Sequence, residues 1–228
     1  MKTFRYVSNM PQLESLQTET INDMRYYITP TGAKLPSVTT VLGHSSKQAI
    51  FEWRQRVGED VANRKSTRAS IRGTKFHNMM ERYLMNESRL KVFEDVMPDM
   101  QQAFYDAKET LDKIDNIHYI ESPLYCEILG LAGRTDVIAE FDGELSIIDF
   151  KTSEKLKKEQ WIENYFEQGT AYSLMFESMF GKTIEQVVVI ITVDGETKPQ
   201  VFIKNRNDYI DSLCTKIENF KKDYPNVS

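Results

Sequence analysis

The sequence predicts an α/β protein: a mixed central sheet flanked by helices, with a helical elaboration at the N-terminal end. Three observations carry this. Apolar residues recur at helical spacing up to about residue 114, the period then falls to two over three consecutive segments, and the remainder alternates helix with strand. Taking the elements in order, residues 25–28 and 33–35 flank a turn at Thr29-Pro30-Thr31-Gly32. The run from Leu35 to Leu42 reads as a helix entry, with Pro36 near the first turn and Ser37, Thr39 and Thr40 able to cap free N–H groups. Segments 48–63 and 67–86 read as helices. The first spaces Ile50, Trp53, Val57 and Val61 by three or four, and the second carries Ile71, Phe76, Met79, Met80, Tyr83 and Leu84. A third helix, 98–114, gathers Met100, Phe104, Ala107, Leu111 and Ile114 on one face. Strands are expected at 118–129, 131–141 and 144–152, the last two joined by Asp142-Gly143. A long helix over 156–180 stops at Gly181, residues 186–193 and 199–204 form a second hairpin around Asp194-Gly195, and an amphipathic helix over 207–222 closes the chain. With no repeat and no low-complexity linker, residues 1–228 are expected to form one domain, mainly helical over 1–115, with the sheet core in 116–228.

Composition narrows the function classes. Hydrophobic residues make up 40% and aromatics 11%, which fits a globular core rather than extensive disorder. No apolar run approaches the ~20 residues that span a bilayer. The first residues lack the apolar stretch of a signal peptide and carry Glu14, Glu19 and Asp23, so the expected compartment is the cytoplasm, of a bacterial cell or a phage-infected host. Two cysteines, Cys126 and Cys214, exclude a four-cysteine iron–sulfur or zinc centre. The net charge of −5 does not favour a polyanionic partner, but charge acts locally. Basic residues cluster at Arg64, Lys65, Arg68, Arg72 and Lys75 and again at Lys151, Lys155, Lys157 and Lys158, either as solvated faces or as phosphate contacts.

The chemistry is concentrated in Gly133-Arg134-Thr135-Asp136 and Asp149-Phe150-Lys151. If Asp142-Gly143 forms a two-residue type I′ turn, Phe141 faces Glu144, Ile138 faces Ile147 and Asp136 faces Asp149. Opposed residues hold their Cβ atoms roughly 4.5–5.5 Å apart. Lys151 shares the face of Asp149, and its opposite number in that register is Arg134. Two opposed carboxylates among Ile138 and Ile147 repel, and a hard divalent cation, Mg²⁺ or Mn²⁺, removes the repulsion. The bland alternative is an exposed hairpin whose acids do nothing. It fits poorly with Val137, Ala139, Ile148 and Phe150, which make the other face apolar as well.

Gly133-x2-Asp136 followed by Asp149-x-Lys151 resembles the core of the PD-(D/E)xK nucleases. Gly73-x3-His77-x3-Glu81 upstream and Gln168-x3-Tyr172 downstream resemble the accompanying motifs of the RecB-type branch of that superfamily. The Leu35–Leu42 run adds a likeness to exonucleases of mitochondrial genome maintenance and of phages. The resemblance implies a restriction-endonuclease-like core and a Mg²⁺-dependent DNA exonuclease acting on DNA with a free single-stranded end, with Mn²⁺ as a substitute ion. It implies that Asp136, Asp149, His77 and the main-chain carbonyl of Phe150 bind the metal. Lys151 would orient or activate the attacking water, and Gln168 and Tyr172, on one helical face, would support Lys151 or hold the DNA backbone. Glu81 either orients His77 or pairs with a cation such as Lys75. Ser37, Thr39, Arg72, Lys75 and Arg134 are the expected phosphate contacts, with helix capping as the alternative for Ser37 and Thr39. Tyr172 has core packing as its alternative, Trp53 reads as core rather than a base-stacking platform, and Glu127 is an additional acid on the preceding strand. A structure-selective endonuclease on the same core, or a non-catalytic DNA-binding accessory, are the competing functions.

Overall fold

The computed structural model describes residues 1–225. Its centre is a five-stranded sheet, β4 (Ile114–Cys126), β5 (Leu131–Phe141), β6 (Glu144–Ser153), β7 (Gln186–Val193) and β8 (Gln200–Asn205), in that spatial order. All neighbours are antiparallel except β6 and β7. Parallel strands need a crossover, supplied here by α6 (Glu163–Phe180). The β5–β6 turn has both Asp142 and Gly143 at positive φ (52° and 88°), the type I′ geometry read from the sequence. Phe141↔Glu144 and Ile138↔Ile147 pair as expected.

Side chains alternate across this sheet. Val137, Ala139, Phe141, Ile148 and Phe150 pack under α3 (Glu59–Leu84) and α5 (Pro98–Leu111). Ile138 and Ile147, on the opposite face, pack against α6, α7 (Ile210–Asp223) and α1 (Val38–His44). The result is a three-layer sandwich with the sheet buried on both sides, which explains why β5 and β6 are apolar on both faces. Both cysteines are free. Among the described residues no helix is long and apolar enough to cross a membrane.

The N-terminal part differs from the sequence expectation in three ways. A small antiparallel sheet, β1 (Gln17–Ile21), β2 (Met24–Ile28) and β3 (Lys34–Pro36), precedes α1, so this part is not mainly helical over its first forty residues. The polar, fully exposed β1 shows no alternation for a period to reveal. Helix α2 (Lys47–Val57) ends at Gly58 (φ 85°), and α3 then runs unbroken through the gap expected near residue 65. Trp53 lies on α2, which has no buried residue, and lines a groove with Lys65 and Arg68 instead of the core. Two later boundaries also move. β4 starts at Ile114 rather than 118, and a 3₁₀ turn over Glu159–Trp161 occupies the front of the expected long helix, so α6 begins only at Glu163. Gly181 ends α6 in the left-handed conformation (φ 66°), as expected.

Helix α6 lies so close to β7 that a Cβ on Gly169 would overlap Cγ1 of Val187. Gly169→Ala is therefore expected to destabilise the protein by about 1–3 kcal/mol, the scale of core overpacking. Val187→Ala in the same chain should recover part of that loss. Urea unfolding measures both, and a Gly169→Ala protein as stable as the parent would contradict this seating of α6.

Candidate active site

The β5–β6 ladder stops at Val137↔Ile148. Beyond it β5 pairs only with β4, and β6 continues only beside β7. At the parting, Oδ2 of Asp136 accepts a hydrogen bond from the backbone N–H of Phe150 (2.8 Å), so a carboxylate fills the place of the missing ladder bond. Asp136 and Asp149 therefore stand at adjacent positions of parted strands, not as a bonded pair. Arg134 pairs with Pro123 rather than lying opposite Lys151.

An open cleft of about 820 Å³ lies over this parting, lined by His77, Glu81, Glu121, Arg134, Asp136, Lys151, Tyr165, Gln168 and Tyr172 among others. Asp149, 1% exposed, is buried behind two of these residues, Lys151 and Gln168. Its Oδ1 accepts from Lys151 Nζ (2.7 Å) and from Gln168 Nε2 (3.1 Å). Its Oδ2 is 2.5 Å from Lys151 Nζ but receives no directed hydrogen bond. The Lys151 ammonium also sits 5.2 Å from the centre of the Tyr165 ring, within cation–π range. From the layer on the other side, α3 brings His77 Nδ1 to 3.4 Å from Asp136 Oδ2 and 3.9 Å from Glu121 Oε1. Tyr172 reaches the cleft because Gly133 has no side chain, since a Cβ there would stand 2.7 Å from Tyr172 Cε1. That close approach joins the Gly133–Asp136 and Gln168–Tyr172 motifs physically.

The electrostatics follow from packing two acids and two cations out of water. Burial pushes the Asp149 carboxyl up and the Asp136 charge adds to it, and despite the Lys151 ammonium the result is about 6. Burial also works against the charge on Asp136, but His77 and Lys151 outweigh it and hold this carboxyl below its ordinary value. For His77, burial favours the neutral ring, yet Asp136 and Glu121 together raise it to about 10. Burial likewise opposes the Lys151 charge, and Asp149 and Asp136 reverse that, keeping the ammonium charged above its ordinary range. The Tyr172 phenol is pushed far up, chiefly by burial, and stays neutral.

The residues present fit a divalent ion. His77, Glu121 and Asp136 each offer one donor atom, all within 4.8 Å of one another. One nitrogen and several carboxylate oxygens suit Mg²⁺ or Mn²⁺.

Of the residues expected at the site, His77, Asp136, Asp149, Phe150, Lys151, Gln168 and Tyr172 converge here, and Glu81, Arg134 and Thr39 line the same cleft. Tyr172 satisfies both of its readings, since it is also part of the α6 core. Three residues are engaged elsewhere. Ser37 is buried, and its Oγ accepts from Thr40 N–H (3.0 Å) as the cap of α1. Arg72 pairs with Asp99 (3.0 Å) and Asp194, and Lys75 Nζ donates to the Asp95 carbonyl (3.3 Å), both away from the cleft. Glu127 accepts from Thr29 and Thr31. Glu121 and Tyr165 were not anticipated. Finding Glu121 needs the β4–β5 register, and that depends on a four-residue turn, 127–130, whose length the alternating pattern does not reveal.

Because the folded-state value of Asp149 lies above the ordinary carboxylate value, its ionisation opposes folding. That cost is present above about pH 6 and is relieved as the pH falls toward 4. In EDTA the protein is therefore expected to gain stability as the pH is lowered from 8 through 6 toward 5, as read by thermal melts. A melting temperature that falls steadily over that range would refute this assignment of charge.

Comparison with known proteins bears on the same residues. The profile described as the PD-(D/E)XK nuclease superfamily matches residues 47–224. The chain is similar to mitochondrial genome maintenance exonuclease 1 of Homo sapiens, at 31% identity over 132 residues, and to the protein of that name from Mus musculus, at 30% over 132 residues. Each match covers 54% of this chain and 38% of the relative, so the chain corresponds to well under half the length of either. The profile spans α2 to α7 and contains His77, Asp136, Asp149, Lys151, Gln168 and Tyr172, and the five-stranded mixed sheet between helical layers agrees with it. The chain belongs to the PD-(D/E)XK nuclease superfamily, whose members use divalent metal ions.

Proposed function

We propose that this protein is a Mg²⁺-dependent exodeoxyribonuclease, with Mn²⁺ able to substitute, that hydrolyses phosphodiester bonds of DNA from free single-stranded ends. The observation that carries the reading is the convergence of His77 of α3 with Asp136, Asp149 and Lys151 of the central sheet around one open cleft. The words exonuclease and genome maintenance in the relatives' names support an end-directed mode and a DNA substrate.

His77, Asp136, Asp149 and the Phe150 carbonyl would hold the ion. A divalent cation so held supplies Lewis-acid charge to the phosphoryl oxygens and acidifies water beside it. Phe150 N–H fixes the orientation of the Asp136 carboxylate, and Gln168 does the same for Asp149. Lys151, charged and pinned between Asp149 and the Tyr165 ring, provides a fixed cation for the scissile phosphate and a donor to orient the attacking water. Its raised pKa makes it an electrostatic group rather than a base in this arrangement. Tyr172, a neutral phenol beside Gly133, closes one wall. Arg134, exposed at the cleft, and Thr39 are the backbone contacts, and they give binding that is independent of sequence and sensitive to salt.

The test uses end-labelled linear and closed circular single-stranded DNA with Mg²⁺ or EDTA. Linear DNA should be degraded only with the metal, circles should survive, and Lys151→Ala should lower the rate about 10²–10³-fold, the scale of losing one preorganised donor. Cutting of circles would make the protein an endonuclease. Absence of any metal-dependent cleavage would overturn the catalytic reading.

A further inference from the structure

The β1–β2 hairpin forms one wall of the cleft through Thr18, Arg25 and Tyr27, and the mechanism above does not use it. It lies outside residues 47–224, the span that the superfamily profile matches. Its seating is nonetheless firm. Tyr27 and Leu35 pack on Ala132 of β5, and Ser37 bridges to the same residue, two positions before Arg134. The start of α1 then holds the main chain of Arg25. Ser37 N–H donates to the Arg25 carbonyl (2.8 Å), and Arg25 N–H donates to Thr40 Oγ1 (3.3 Å). Arg25 and Tyr27, two apart on β2, share a face of the strand. The guanidinium lies 5.6 Å from the centre of the Tyr27 ring, within cation–π range, and its Nη2 is 3.5 Å from Thr39 Oγ1.

We infer that Arg25 binds a backbone phosphate of the DNA strand in the cleft, which makes the hairpin a second gripping wall across from α3. The inference rests on the DNA-cleaving reading of the site and adds to it a contact from outside the matched span. Arg25 is selected by a charge that nothing neutralises. Arg25 and Arg134 both line the cleft, and among the described residues neither has a carboxylate within ion-pair distance. Elsewhere Arg5, Arg54, Arg72, Arg82 and Arg206 each pair with an acid. The cleft itself carries Glu81, Glu121 and Asp136, which repel a polyanion, and the Lys151 ammonium is engaged with Asp149. A strand of phosphates therefore needs cations on the walls. A guanidinium stacked on an aromatic ring and anchored through its main chain holds its planar fork in a set orientation, and that fork matches phosphate oxygens. Such a contact carries no base preference.

The test is fluorescence-anisotropy titration of a labelled single-stranded oligothymidylate with the full chain, with Ca²⁺ in place of Mg²⁺, comparing the parent with Arg25→Gln, Arg25→Lys and Lys34→Gln. Lys34, on β3 of the same small sheet, pairs with Glu19 (2.7 Å) and does not line the cleft, so its variant makes the same change of charge away from the proposed contact. Thermal melts verify that each variant is folded. Arg25→Gln is expected to weaken binding about five- to tenfold, the scale of one charged hydrogen bond. It should also lower the slope of log Kd against log salt by about 0.7, the value of one phosphate contact on a single strand. Arg25→Lys keeps the charge and should keep the parent's slope. Lys34→Gln should change affinity by less than about twofold, as expected of a screened charge at a distance. Unchanged affinity and slope in folded Arg25→Gln would overturn the inference and leave the DNA-cleaving reading standing. Equal weakening by Lys34→Gln, or a slope lowered as much by Arg25→Lys as by Arg25→Gln, would overturn it as well. A parent chain that binds no strand would overturn the DNA-cleaving reading and this contact with it.

Discussion

The hydrogen bond from Phe150 N–H to Asp136 Oδ2 is the constraint on which the rest of the site depends. A sheet buried on both faces has no water to satisfy an amide that loses its ladder partner. When β5 leaves β6, the freed amide must therefore be paired by something else. A carboxylate supplied by the departing strand does this, and its position becomes fixed by the same demand. The Asp136 charge is thus held by a backbone donor at the place where the sheet opens. The apolar pairs immediately before the parting, Val137 with Ile148 and Ile138 with Ile147, anchor both strands firmly, so the opening is localised.

Once an acid occupies that position, its neighbours are constrained in turn. Two buried carboxylates repel, and each is matched by a cation from a different element: His77 of α3 for Asp136, and Lys151 of β6 for Asp149. The pairing is unequal. Asp136, with a backbone donor and an imidazolium, stays readily ionised, whereas Asp149, deeper and beside the other charge, is pushed toward about 6. Burial sets the sign for the weaker site, and the charge partners set it for the stronger one. A divalent cation in this cleft would compete with His77 and Lys151 for these carboxylates.

Small residues decide how closely the supporting helix approaches. Gly169 allows α6 to lie against Val187, and Gly133 admits the Tyr172 ring against β5. With α6 seated at that depth, Gln168 reaches Asp149 and Tyr165 covers Lys151. Gly133 and Gly169 are therefore spacing elements, fixing distances that the polar side chains then use.

What the sequence determined by itself was whatever local physics encodes. Alternation of apolar residues placed β5 and β6, the Asp142-Gly143 turn set their register, and that register brought Asp136, Asp149 and Lys151 to one place. Helical spacing put Gln168 and Tyr172 on one face of α6 and marked Gly181 as its end. Other features were fixed only in three dimensions. The polar β1 has no periodic signature, and its pairing with β2 is visible only in the folded chain. Which basic residues face the cleft depended on helix docking, which left Arg134 at the cleft and tied Arg72 to Asp99 and Asp194. Glu121 reached His77 through a register across a longer turn and a left-handed backbone that no residue type at that position announces. The division has one physical cause. Period and tight turns are short-range properties of the chain, whereas the partner of a charge is chosen by the packing of elements far apart in sequence.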